Sequence, residues 1–479
     1  MSDIVQRLDR VFNPRTIAVV GDKRSMGYLW LRNMSTFKGK LYSVQISPDD
    51  IPGILELGVP NYLSLLDIPG EIDYVICAVS RMVAPRVIAD CVTKKVGGVS
   101  LFTAGYAETG EAEGARLQAE LAAIARQGDL LLIGPNCMGV YNRRLGVRQA
   151  MDQPAGDAGV AGFISHSGTH AINFSLLSTA NGVKISKSIS AGNSVVVNPS
   201  DYLEYLAQDE ETKVIGMYLE GIQDGRRFFQ VLKRTARQKP VVIWKGGTSE
   251  AGQRAMFSHT GGLATSTAVW QAVAKQCGVI SVESLEEMTN VMKTLLCVKP
   301  CTGKRVGLLA LTGGQSVAIT DAFVKEGLEV PSLTDRSYEE LAGFFNIIGG
   351  SYRNPLDAGG TLGYGRQSGN LERMLDILDR DENVDAVAVE MPSSLLVRIA
   401  LGDKGPSVAG LPDLLAAHRE HSPKPFVVIL FPGHVETPAE ERLRFTEKGI
   451  PAFTTFQQAA RALDKVVDYY RFRAEIDQR

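Results

Sequence analysis

Short apolar runs alternate with longer amphipathic stretches along almost the whole chain. Strands buried on both faces and joined by crossover helices produce this pattern, so it predicts βαβ units and parallel sheets. In the first third the predicted strands are Thr16–Val20, Leu41–Gln45, Tyr74–Ala78, Gly98–Phe102 and Leu130–Ile133, each followed by loop and helix-like sequence. That makes one doubly wound domain. Residues 143–159 show no period and contain Asp-Gln-Pro-Ala-Gly-Asp, the composition of a connection. A second set of strands is predicted at Gly159–Ile164, Lys184–Ser190, Val214–Tyr218, Pro240–Trp244 and Gly278–Val282, ahead of a helix over Leu285–Leu296. After the linker Pro300–Lys304 come Arg305–Leu311, a helix around Val317–Glu326, then Asp385–Glu390 and Pro425–Phe431. The last helix is expected from Phe456 to about Tyr470, with a frayed, charged tail beyond it. The strand, glycine loop and helix from Leu309 to Ser316 restart the pattern of the second set, as related units do. The expected fold class is α/β, with three doubly wound parallel-sheet domains over 1–150, 151–299 and 300–479.

Composition narrows the function. At ~150 residues per domain, 479 residues agree with three domains. A formal net charge of -2, with no basic stripe and no acidic tail, speaks against a captured polyanion and favours small molecules and protein as partners. The first residues alternate charge with apolar side chains, and no apolar run approaches the ~18 residues of a membrane span. The cytoplasm is the expected location. Cys77, Cys91, Cys137, Cys277, Cys297 and Cys301 form no CxxC pair and no zinc-type spacing, so reduced and mostly buried thiols are expected, with no metal.

Five constellations carry candidate chemistry. Lys245-Gly246-Gly247-Thr248-Ser249 to Ser258-His259-Thr260-Gly261-Gly262 places a histidine in a small-residue stretch after an apolar strand. Neutral imidazole can attack phosphorus near pH 7, which suggests a phosphohistidine on a moving loop; the plainer alternative is a loop histidine bonded to a carbonyl. Gly21 to Gly27 follows the first strand and opens a helix whose free N–H groups could hold a diphosphate, although it does not spell GxGxxG. Gly134-Pro135-Asn136-Cys137-Met138-Gly139 adds a rigid turn at the carboxyl side of the same sheet, where ligands of such sheets bind. Ser165-His166-Ser167-Gly168-Thr169 aims hydroxyls and orphan N–H groups at an anion, with a simple helix cap by Ser167 as the alternative. A metal on His166 and His170 ranks below a phosphate or acyl-pocket role, because no carboxylate stands beside them. Glu220 ends an apolar strand, where a carboxylate can orient an imidazole.

In this order, the pieces resemble the α subunit of an NDP-forming acyl-CoA synthetase, the superfamily that includes succinyl-CoA ligase. The resemblance covers nearly all of the chain. It rests on Val19-Val20-Gly21, Thr103 to Glu111, Gly134 to Gly139, Ser165-His166-Ser167-Gly168, Ser190-Ala191-Gly192-Asn193, Tyr218-Leu219-Glu220-Gly221, Ser258-His259-Thr260-Gly261, Thr312-Gly313-Gly314 and Asn354-Pro355-Leu356-Asp357. It implies a Rossmann-like CoA-binding domain followed by two flavodoxin-like domains. It further implies that His259 is phosphorylated and Glu220 supports it, that Ser165, Ser167, Gly168, Thr169, Gly313 and Gly314 bind phosphate, and that Gly21, Ser25, Ser80, Thr103 and Asn136 contact CoA. The implied reaction interconverts acyl-CoA, phosphate and ADP or GDP with acid, CoA and ATP or GTP through an acyl phosphate. An ATP-grasp β subunit carrying the nucleotide and Mg²⁺ is the expected partner, together with a small carboxylic acid or acyl-CoA substrate, in an oligomer. The departures are a first loop without Ala-Ser after its glycine, Gln45 where Asn is common, and Thr248 in place of Arg. Two rival readings are a CoA-binding regulatory or assembly protein and a nicotinamide-dependent oxidoreductase. Against the second stand the imperfect glycine loop and Gln45 and Ser47, where a ribose-binding acid would follow the second strand.

Overall fold

The computed structural model describes residues 3–260, 266–362, 369–392, 410–431 and 439–478. They form two compact units, Met1–Thr179 with Val183–Met288, and Thr289–Arg479 with Ala180–Gly182.

The first unit holds two sheets. Strands β1 (Thr16–Val20), β2 (Lys40–Val44), β3 (Asn61–Tyr62), β4 (Tyr74–Cys77), β5 (Gly98–Leu101) and β6 (Leu132–Ile133) are all parallel, in the order β3-β2-β1-β4-β5-β6. This is the Rossmann order, and its direction reverses between β1 and β4. Every residue of β1, β4 and β5 is buried, which explains why these strands read as unbroken apolar runs. The second sheet contains β7 (Gly139–Asn142), β8 (Ala161–Ser165), β9 (Ile185–Ser190), β10 (Val214–Leu219), β11 (Val241–Lys245) and β12 (Ile280–Val282), in the order β12-β11-β10-β8-β9-β7. Its five parallel strands follow the flavodoxin order, with the reversal between β8 and β10.

Strand β7 departs from the sequence expectation. Although it comes straight after the last strand of the first sheet, it pairs antiparallel with β9 at the edge of the second, Gly139 facing Ser190 and Asn142 facing Lys187. The two sheets of this unit are further tied where the Phe12 ring stacks on Tyr205, 4.6 Å between centroids, and the Asn142 side chain donates to the Phe12 carbonyl at 2.8 Å.

The second unit repeats the flavodoxin order with β13 (Val306–Ala310), β14 (Leu356–Asp357), β15 (Ala386–Pro392), β16 (Phe426–Phe431) and β17 (Ala452–Phe453), arranged β14-β13-β15-β16-β17. Its closing helix runs Phe456–Asp477, so the tail after Tyr470 is helical rather than frayed. Two of the tail's charges are bonded: Arg471 donates to the carbonyl of Thr302, and Arg473 donates to the Tyr469 hydroxyl at 3.1 Å. Earlier in the same helix, Asp464 and Asp468 pair with Lys304 at 2.7 Å each. All six cysteines are free, five of them buried. No helix among the described residues is long and apolar enough to cross a membrane.

Candidate functional site

The first site is a cleft of about 410 Å³ at the order reversal of the Rossmann sheet, lined among others by Gly21, Lys23, Ser80, Thr103 and Asn136. Gly21 turns the chain at φ +85°, where a Cβ would stand 2.5 Å from the Val79 side chain; glycine is what lets β1 and β4 end side by side. The Thr103 hydroxyl donates to the Val79 carbonyl, and the Thr103 carbonyl accepts the N–H of Asn136 at 3.2 Å. One wall is apolar: Trp30 meets Phe102 edge to face at 5.2 Å, beside Met26 and Leu29. A polar floor with an apolar wall suits a ligand that joins phosphates to an aromatic base and an alkyl arm. Ser25 does not join this lining; it sits exposed on the 3₁₀ turn Arg24–Met26.

The diphosphate-holding helix expected after Gly21 is not there. The chain makes that 3₁₀ turn and then only the five-residue helix Leu29–Asn33. Buried Asp22 already takes the Leu31 N–H at 2.9 Å and the Lys23 N–H at 3.1 Å. Burial raises its carboxyl above the ordinary range, and the backbone donors oppose that rise. Gln45 also turns inward, donating to the Asp22 carbonyl and accepting from Ile46 and Ser47. The end of β2 therefore presents no ribose-binding acid.

The second site lies at the reversal between β8 and β10. Ser165 is buried, and its hydroxyl closes the turn by donating to the Ser167 carbonyl at 2.7 Å and accepting the Ser167 N–H. Ser167 caps the helix Gly168–Ala180 by accepting the His170 N–H at 3.3 Å. The cap and the anion reading coexist, because the N–H groups of Gly168 and Thr169 keep no partner among the described residues. Opposite them, buried Glu220 follows β10. An imidazole is oriented here, but by the backbone: the Glu220 N–H donates to Nδ1 of His166 at 3.0 Å. Lys245, buried at the end of β11, donates to the Glu220 and Gly246 carbonyls at 2.6 Å each. Burial, then the Lys245 charge, depress His166 to about 4. Burial also lowers Lys245 and His170 and, with the Glu220 carboxylate, raises the Tyr218 hydroxyl. His170, Tyr218 and Trp244 form an aromatic cluster with ring centroids 4.4 to 4.9 Å apart. Asp22, His166 as Glu220's partner, Lys245 and the aromatic cluster escaped the sequence reading; a lysine inside an apolar strand end was the only local hint.

One loop touches both sites. Asn136 lines the cleft, and two residues later Met138 packs on Gly168, where a Cβ would lie 2.6 Å from the methionine Cγ. The facing loop closes tightly on it, for a Cβ on Gly192 would stand 2.2 Å from the Pro135 carbonyl oxygen. Next to it, Asn193 donates to Glu108 at 2.6 Å and Gln118 at 2.9 Å, locking the Thr103–Glu111 segment to the second sheet.

His259 belongs to the helix Glu250–Thr260, not to an open loop. Ser249 caps this helix by accepting the Gly252 N–H at 3.1 Å, and Glu250 to Phe257 are mostly good helix formers. The His259 side chain, like Gly261 and Gly262, lies outside the described residues, and so does any pairing with Glu220.

In the second unit Thr312 repeats the role of Ser167, capping the helix Gly313–Lys325 by accepting the Gln315 N–H at 3.3 Å, with exposed Gly313 and Gly314 at its start. Beside them stand two acids on the strands either side of β13: Asp357 on β14, in register with Ala310, and Glu390 on β15, one residue past the Val389 that pairs with Leu309. Glu390, 3 % exposed, accepts the Leu311 N–H at 2.9 Å. Burial, with the nearby Asp357 charge, raises it to about 7 against the pull of that donor.

Comparison with known proteins agrees with this layout. Residues 15–143 match the CoA binding domain, and residues 158–295 match the succinyl-CoA ligase like flavodoxin domain. The chain is 33 % identical to the α subunit of ADP-forming acetate–CoA ligase II of Pyrococcus furiosus, over 95 % of this chain and 96 % of that subunit. It is also 33 % identical to ADP-forming acetate–CoA ligase I of Archaeoglobus fulgidus, but spans only 64 % of that longer protein. Among solved structures, the acetyl-coenzyme A synthetase 1 of Ca. Korarchaeum cryptofilum, in complex with phosphate and ADP, superposes with a TM-score of 0.82 at 27 % identity over 98 % of both chains.

Proposed function

The chain belongs to the NDP-forming acyl-CoA synthetase family, as a chain of the ADP-forming acetate–CoA ligase α-subunit type, and from that premise we propose how its two sites divide the reaction. The cleft at Gly21, Ser80, Thr103 and Asn136 takes CoA, with Ser25 at its rim. The start of the helix Gly168–Ala180, with Ser165, Ser167 and Thr169, takes inorganic phosphate or the phosphoryl group of an acyl phosphate. The observation that carries this reading is the single loop Gly134–Gly139, which supplies Asn136 to the first site and Met138 to the second. Phosphate attacks the thioester carbonyl of acyl-CoA, the C–S bond breaks, and the thiolate leaves as CoA with a proton. His259 then takes the phosphoryl group from the acyl phosphate, releasing the carboxylate of a small acid, and passes it to ADP. Glu220 supports the imidazole during transfer. Gly313 and Gly314 offer a second capped helix start for the phosphoryl oxygens. Backbone N–H groups and helix dipoles stabilise that charge without reorganisation, and a water-excluding site protects the acyl phosphate.

An ATP-grasp β subunit binding the nucleotide and Mg²⁺ completes the cytoplasmic enzyme, as an oligomer. The relative named as an α subunit, matched nearly end to end, and the longer relative, of which this chain spans 64 %, support that partner. The test is to mix the chain with a candidate ATP-grasp subunit, Mg²⁺ and γ-labelled ATP. An acid-labile, base-stable phosphoprotein is expected, lost in His259→Ala. Undiminished labelling of that variant would refute the assignment.

A further inference from the structure

The turn that leads into the helix Gly168–Ala180 contains an imidazole that the phosphate reading leaves unused. His166 spends its backbone N–H on the Tyr218 carbonyl at 3.2 Å, and its ring reaches over the reversal between β8 and β10 to take the Glu220 N–H on Nδ1. A ring nitrogen that accepts an N–H cannot carry its own hydrogen, so the neutral ring carries it on Nε2. A second proton is resisted by burial and by the Lys245 ammonium, whose Nζ is held at the Glu220 carbonyl. The ring is therefore fixed in tautomer and in place, and its Nε2 edge makes no hydrogen bond among the described residues. Two and three residues on, the N–H groups of Gly168 and Thr169 are likewise uncommitted; the Ser165 O–H is spent on the turn, while Ser167 only accepts at the cap and keeps its O–H to donate. A phosphate dianion offers more acceptor positions than these three donors can fill.

We infer that His166 is a neutral hydrogen-bond donor, through Nε2–H, to the phosphate or phosphoryl group held at the start of the helix Gly168–Ala180, with Nδ1 anchored on the backbone of Glu220. The inference rests on the proposed phosphate role of Ser165–Thr169. A neutral donor has a chemical advantage over a cation here. It orients the oxygens without deepening the ground state of a group that must leave again. Lys245, the cation at hand, is tied to two carbonyls.

Two substitutions separate the anion role from a merely structural one. In His166→Gln the distal amide keeps an N–H near the place of Nε2 but gives up the acceptor at Nδ1. In His166→Asn a short side chain can still accept from Glu220 but no longer reaches outward. Calorimetry with inorganic phosphate on the full-length chain is expected to show near-native affinity for the Gln variant and a loss of about ten- to a hundredfold for the Asn variant, the range for a hydrogen bond to a charged group. Near-native affinity in both variants, equal loss in both, or the reverse order would overturn the inference and make His166 a clamp for Glu220. Histidine-labelled wild-type protein gives an answer that does not depend on either variant folding. Its ¹⁵N spectra should show His166 as the Nε2–H tautomer from pH 5 to 8, with that N–H shifting and gaining exchange protection as phosphate is added. The opposite tautomer, or no response while phosphate binds, refutes the inference alone. A wild-type chain that binds no phosphate refutes the site reading beneath it as well.

Discussion

Replacing Glu390 by glutamine should stabilise the second unit in alkali and leave it nearly unchanged in acid. Glu390 is 3 % exposed; it accepts one backbone N–H, from Leu311, and feels the repelling charge of nearby Asp357. Burial lifts its carboxyl from 4.5 to about 7. The folded state therefore binds the proton more tightly than the unfolded chain, and stability falls as pH rises from about 4.5, levelling off above 7. At ~1.4 kcal/mol per tenfold change in proton affinity, the full loss is on the order of 3 kcal/mol, most of it between pH 5 and 7. Glutamine has nearly the same shape, can still accept from Leu311 and never ionises, so the variant should lack this slope. Tryptophan fluorescence would miss the effect, because Trp30, Trp244 and Trp270 all belong to the first unit. Hydrogen exchange of peptides from β13 and β15, compared between wild type and variant at pH 5 and pH 8, reports it directly. The variant should gain about 2 to 3 kcal/mol of protection at pH 8 and little at pH 5. Equal protection at both pH values, or a less protected variant at pH 8, would show that Glu390 does not carry a buried charge.

Two glycines give further tests. Gly21→Ala places a Cβ 2.5 Å from the Val79 side chain at φ +85°, so CoA affinity by calorimetry should fall at least about tenfold while phosphate binding is kept; unchanged CoA affinity would move the CoA site elsewhere. Gly192→Ala drives a Cβ to 2.2 Å from the Pro135 carbonyl oxygen, which neither loop can yield cheaply, and should cost about 1 to 3 kcal/mol in urea unfolding of the first unit followed by fluorescence; a silent substitution would mean the two loops are not locked. Both are best made in the full chain, since Gly139–Asn142 is a strand of the second sheet and a fragment ending near residue 150 would leave it without its partner β9.

Local pattern was enough for the central strands of the α/β fold, but not for the two-residue edge strands Asn61–Tyr62, Leu356–Asp357 and Ala452–Phe453. A central parallel strand such as Thr16–Val20 or Val306–Ala310 is buried on both faces, and burial of that kind can be filled only by an unbroken apolar run, which any window of sequence displays. The glycine and serine turns after β1, β8 and β13 were legible for the same local reason, because a turn and a helix cap are made by neighbours in the chain. What the sequence could not disclose depends on partners far away. Gly139–Asn142 carries no periodic signal of its own and becomes a strand only because β9 presents an open edge. The small-residue stretch around His259 suggested a loop, yet good helix formers and the Ser249 cap carry the helix through to Thr260. Asp22 could have faced a diphosphate and instead stops the N–H groups of Leu31 and Lys23. His166 had no visible claim on Glu220, 54 positions away, until the register of β8 against β10 put the ring beside that one N–H. Asp357 and Glu390 came near each other only when β14 and β15 took the two sides of β13. The reason is common to all of these cases: solvent exposure writes itself into local periodicity, whereas strand order and register are settled by packing across the whole unit, and it is strand order that decides which side chains meet at the carboxyl ends of the sheets.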